Sequence, residues 1–210
     1  MTIYIILASL SFIFLSSYVI FSLYLYKKDT QEKFSIKNVF SFEIAPKRNS
    51  KFFYINMLLW MSLLTFFLGF LYFAIKHFNI LFVFTAISAL FIAISVLFIN
   101  ILPLNYLREH LYASLGLIIG SALLTALLVT YEIRLFRVSQ DYLLLLPLIN
   151  SGLCLVTSLV SLFFPRLFFL DNELDAYGNP VRRKMYPLAL FEWILTFLMV
   201  FASIPLIFIA

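Results

Sequence analysis

Residues 52–75, FFYINMLLWMSLLTFFLGFLYFAI, are followed by KHF at 76–78 and then by NILFVFTAISALFIAISVLFINIL at 79–102. Neither long run contains an Asp, Glu, Lys or Arg. At 1.5 Å of rise per residue each run is about 36 Å long as a helix, more than the ~30 Å hydrocarbon core of a bilayer. A gap of three residues between them leaves no room for a soluble excursion, so the pair reads as a tight antiparallel hairpin of membrane spans.

The same reading extends in both directions. Further apolar segments run over 2–26, 107–131, 142–164 and 185–209, which makes one domain, 1–210, an all-α bundle of about six transmembrane helices. Pro103 and Asn105 mark the turn after the third span. The first segment has no basic stretch before it and no evident small-x-small cleavage site after it, so it reads as a retained span. Composition agrees: 64% of residues are hydrophobic and 12% charged, against about 25% charged in soluble domains, too few to cover a water-exposed surface. The net charge of +5 has no amphipathic or aromatic-interleaved patch behind it, which argues against nucleic acid as a partner. Cys154 is the single cysteine, so neither an internal disulfide nor a cysteine-rich metal site is expected.

Cytoplasmic loops of membrane proteins carry the excess of Lys and Arg. Here the loops after the first, third and fifth spans hold 12 of the 15 basic residues, and the opposite loops hold Lys76, Arg134 and Arg137. Six spans with this bias place both termini on the non-cytoplasmic side, in a bacterial inner membrane or an organellar one. The stretch 27–51, where basic residues alternate with Phe34, Ile36, Val39, Phe40 and Phe42, suits either a segment lying at the headgroups or a solvated loop.

Glu192 is the most informative single residue, because it falls about seven residues, roughly 10 Å, inside the sixth span. A charge at a span centre costs about 2.5–3.5 kcal/mol on insertion scales, so this carboxyl is expected to face the bundle interior, hold a proton or reach a polar partner. By depth, Asn56, Tyr112 and Ser158 are the groups expected to share its level. Together with Glu192 they form a candidate proton, cation or substrate site, or a structural knot that sets helix register. Pro147, Asn150, Ser151 and Gly152 make the outer half of the fifth span a second candidate polar pocket, and Pro147 and Pro205 are expected to bend their helices. Ala113, Gly116 and Gly120 form a small-residue ridge suited to close helix packing, with a partner in this chain or another.

Other chemistries find little support. His77 and His110 lie on opposite faces in this topology, so a bis-histidine haem is not expected, and no cofactor or metal is indicated. Arg108, Glu109 and His110 are neighbours about 100° apart on a helix start and read as an interfacial cap. Asp171, Glu173 and Asp175 resemble the opening of a calcium loop, but Ala176 and Arg182 stand where such a loop needs Gly and Glu. No phosphate loop or nucleophile elbow is present, and no catalytic residue is nominated.

These readings favour a multi-spanning accessory or structural subunit that lines part of a translocation path. Its expected partners are the lipid bilayer and other membrane subunits or further copies of itself. The alternatives are a small proton- or cation-coupled transporter or channel working through Glu192, and a lipid-modifying enzyme at the cytoplasmic face using Glu109, His110 and the acidic loop.

Overall fold

The computed structural model describes residues 2–30, 52–77, 79–101, 107–164, 173–174, 180–181 and 187–202. Six helices carry the fold: α1 (Thr2–Thr30), α2 (Phe52–His77), α3 (Ile80–Ile101), α4 (Leu107–Ser139), α5 (Leu145–Phe163) and α6 (Pro187–Ala202). A 3-10 turn, Tyr142–Leu144, leads into α5, and β1 (Glu173–Leu174) pairs antiparallel with β2 (Pro180–Val181) between α5 and α6. Five of the helices are long and apolar enough to cross a bilayer, and the apolar part described for α6, Ala189–Leu198, is shorter. The chain is a multi-helical integral membrane protein. In hydrocarbon, a helix satisfies nearly all of its own backbone N–H and C=O groups, and that is why long apolar runs take this form.

Helices stop where local chemistry stops them. Asn79 precedes α3 and caps it: its Oδ1 accepts from Leu81 N at 3.1 Å, and its carbonyl accepts from Phe82 N and Val83 N. The α2–α3 hairpin is therefore as tight as the spacing suggested. At the far end of α4, Gln140 takes φ 53°, the left-handed conformation, and its N–H donates to the Phe136 carbonyl at 2.8 Å. Asp141 then accepts from Leu143 N at 2.9 Å, which starts the 3-10 turn.

Two boundaries differ from the sequence reading. α1 continues through Lys27 and Lys28 to Thr30, and α4 continues past residue 131 through Glu132, Arg134 and Arg137 to Ser139. Charge does not end a helix when side chains can reach the interface or turn inward. At 33 residues α4 is about 50 Å long, well beyond the hydrocarbon thickness. Pro147 also behaves differently from the expected kink. It is the third residue of α5, where an N–H has no partner within the helix, so no backbone bond is broken there. Pro205 lies outside the described residues, as does the end of the expected sixth span.

Consecutive helices pack against each other with alternating direction, and α6 returns to touch α1, α4 and α5. α1 and α2 are joined by reciprocal bonds, Ser11 Oγ to the Ser62 carbonyl at 3.1 Å and Ser62 Oγ to the Ser11 carbonyl at 2.8 Å. Near the α2–α3 hairpin, the rings of Tyr4, Phe73, Phe82 and Tyr131 form a chain of contacts across α1 to α4. The partner of the glycine ridge lies within the chain. A Cβ at Gly116 would stand 2.6 Å from Ser95 Oγ, and one at Gly120 would stand 2.8 Å from Ile92 Cγ1 and 3.1 Å from Phe91, so α4 rests directly on α3.

These contacts rank three substitutions. Ser95 Oγ can rotate away, whereas Ile92 is β-branched and stiff. Gly120→Ala is expected to cost about 1–3 kcal/mol through overpacking. Gly116→Ala should cost less, and Gly152→Ala, which meets nothing within 4 Å, should be neutral or slightly stabilising. Thermal unfolding of the three variants in detergent checks the order.

Candidate functional site

The buried polar groups cluster on the inward faces of the helices. Glu192, the sixth residue of α6, is 2% exposed, and its Oε1 accepts from Ser114 Oγ of α4 at 2.7 Å. A hydroxyl donor at that distance stabilises a carboxyl in either protonation state, because Ser can turn to donate or accept. One turn further along α6, Thr196 Oγ1 donates to the Glu192 carbonyl at 2.7 Å. Ala189 and Trp193 on the same helix are also buried, so this face of α6 is held inward by its neighbours.

A second polar group lies among α1, α2 and α3. Asn100 Nδ2 donates to Asn56 Oδ1 at 2.6 Å, and Tyr18 OH donates to Asn100 Oδ1 at 3.2 Å, with all three side chains buried. Asn56 is near the start of α2 and Asn100 at the end of α3, as the antiparallel hairpin requires. Of two small cavities, each about 30 Å³, one adjoins this network and the other lies beside the Ser11–Ser62 pair. One is lined by Tyr18, Asn100, Trp193 and Thr196 and the other by Ser11, Ser62, Leu117 and Thr196, with Leu15, Leu59 and Val96 common to both. Each has room for about one water, and the first has hydroxyl and amide groups to hold it. Thr196 thus stands between the Glu192 turn and both cavities.

The expected site residues separate in this arrangement. Asn56 belongs to the Tyr18–Asn100 network. Tyr112 is 66% exposed and stays outside the interior set, because it precedes Ser114 by two residues and so points about 200° away around α4. Ser114, on the inward face, takes the place next to Glu192. Ser158 is buried and donates to the Cys154 carbonyl of its own helix at 2.8 Å. In the second candidate pocket, Asn150 Nδ2 donates to the Leu198 carbonyl of α6 at 3.5 Å, whereas Ser151 Oγ donates to Glu132 Oε1 of α4 at 3.0 Å. Glu109 is exposed at the start of α4, and the side chains of Arg108 and His110, like Asp171 and Asp175, lie outside the described residues.

Glu132 is the residue that the sequence reading missed. It is fully buried, yet it sits just past the boundary drawn for the fourth span at residue 131. A signal was present. Ser114, Ser121, Thr125 and Glu132 are spaced by seven, four and seven residues, which puts them within about 20° of one line along a helix. All four are fully buried. The line joins the Glu192 end of α4 to the Glu132 end over roughly 27 Å.

Comparison with family models, curated proteins and solved structures finds no match to this chain.

The Asn56–Asn100 bond is measurable directly. A double-mutant cycle with Asn56→Leu and Asn100→Leu is expected to give a coupling of about 0.6–1.7 kcal/mol by reversible unfolding in mixed micelles.

Proposed function

We propose that this protein is a small proton-coupled membrane transporter in which Glu192 takes up and releases the coupling proton. The observation that carries the reading is a carboxyl 2% exposed, inside a bundle of apolar helices and bonded by the Ser114 hydroxyl. An ionisable group kept at such a position is costly and is usually retained for ion or proton movement. The Tyr18–Asn100–Asn56 network, with the water-sized cavity beside Tyr18 and Asn100, supplies polar groups in the same half of the bundle. By the distribution of Lys and Arg, that half faces the cytoplasm and both termini face the other side.

A subunit of a larger membrane assembly is the second reading. It draws on the broad outward apolar faces, including Val83, Phe84, Ile87 and Phe91 of α3, which lipid or a neighbouring chain would cover. Native mass spectrometry after mild extraction separates the two, since a defined complex with other chains supports the subunit. The lipid-enzyme reading rests mainly on side chains outside the described residues.

Purified protein in liposomes with an entrapped pH-sensitive dye should admit protons under an imposed membrane potential. Glu192→Gln, which keeps the shape and loses the exchangeable proton, is expected to slow this flux by about tenfold or more. Ser114→Ala should slow it by roughly fivefold, the equivalent of one hydrogen bond of about 1 kcal/mol. Wild-type flux in Glu192→Gln would remove the proton role. For sidedness, Val138, 85% exposed, is replaced by Cys in a Cys154→Ser background. An impermeant maleimide added outside intact cells should label it, and labelling only after lysis would invert the topology.

A further inference from the structure

We propose that Glu132, together with Ser151, forms a second proton-binding site in the half of the bundle opposite Glu192. The inference extends the proton-coupled reading above, but it rests on its own geometry. Glu132 is fully buried on α4, and Ser151 Oγ of α5 donates to its Oε1 at 3.0 Å. Oε2 is also buried and has no hydrogen-bond partner among the described residues. A carboxyl kept only for packing is expected to have both oxygens satisfied, because a half-satisfied polar group in low dielectric is costly. Here one oxygen is anchored and the other is left as the atom where a proton can reside without disturbing the Ser151 bond.

The site lies close to the membrane face. Seven residues, roughly 10 Å along α4, separate Glu132 from Ser139, where the helix ends beside the exposed connection to α5. Among the described residues, the charged and titratable groups around this end include Lys76 and His77 of α2, Arg134 and Arg137 of α4, and Asp141 and Tyr142 after it, all exposed, with Tyr131 packed on Phe82 of α3 and buried Tyr4 of α1 on Phe73. From α5 the group facing the carboxyl is Ser151. A proton from water at this face binds the carboxylate at Oε2 to give the neutral acid and leaves by the reverse step. No other bond changes. Toward the opposite side, Thr125 and Ser121 continue on the same face of α4 to Ser114 and Glu192, and the hydroxyl of Ser121 also lacks a partner among the described residues.

The test is infrared difference spectroscopy of the full-length protein in lipid bilayers across a pH step, reading the C=O stretch of protonated carboxyl groups. In the wild type and in Glu192→Gln a band assigned to Glu132 should appear on acidification. It should be absent in Glu132→Gln and displaced in Ser151→Ala, where the donor to Oε1 is gone. An unchanged set of bands in Glu132→Gln overturns the site, as does a wild type with no responding carboxyl band. If Glu132→Gln does not yield folded protein by size exclusion, Ser151→Ala decides, and an undisplaced band overturns the site. Liposome proton flux separates this result from the function proposed above. A Glu132 band with wild-type flux in Glu192→Gln keeps the site and removes the transport reading, whereas loss of flux in Glu192→Gln with no Glu132 band does the reverse.

Discussion

Hydrocarbon offers a polypeptide no hydrogen bonds, and every feature of this protein follows from that constraint. Backbone groups must pair within each segment, so the apolar runs become helices, and the connections between α2 and α3 and between α4 and α5 are capped by Asn79 and Asp141. The same solvent removes the usual reason for helices to associate, since lipid tails are as apolar as the side chains that would leave them. Close approach and buried hydrogen bonds must hold the bundle together. Gly116 and Gly120 let α4 lie on α3, and the paired hydroxyls of Ser11 and Ser62 join α1 to α2.

Polarity is consequently arranged inward. Large apolar side chains such as Ile20, Phe84 and Leu146 are exposed on the outside of the bundle, whereas many of the Ser, Thr and Asn side chains and both carboxyls, Glu132 and Glu192, are buried. Many of the hydroxyls spend their donor on their own backbone one turn earlier, as Thr65, Thr125, Ser158 and Ser161 do. Those groups are self-sufficient and serve packing. Glu192 and Glu132 differ, because a carboxyl has no donor for its own helix and must be met by another one. Ser114 and Ser151 meet them from neighbouring helices, so the two carboxyls tie α4 to α6 near one end and α4 to α5 near the other.

Much of the architecture was legible in the sequence because it depends on length and hydropathy alone. Runs such as 52–75 and 79–102 exceed the bilayer thickness, and three residues between them permit only a hairpin. The inward position of Glu192 was expected from the cost of exposing a charge to lipid. Depth along a span is legible in the sequence, whereas the direction a residue faces around the helix follows only from its spacing to other inward groups. Tyr112 and Ser114 differ by two residues and face nearly opposite ways, and Glu132 lies one residue past the span boundary at 131 although its spacing from Ser114 marks it as inward. What only the tertiary structure decided is which inward groups meet. The thirteen buried serines and threonines among the described residues are chemically alike in sequence, and the choice of Ser114 for Glu192 and Ser151 for Glu132 is made by the packing of α4 between α3, α5 and α6. Hydropathy carries no information about that choice, because partner selection depends on rotation and axial shift between helices, and these are set by where small residues such as Gly116 and Gly120 allow two backbones to approach.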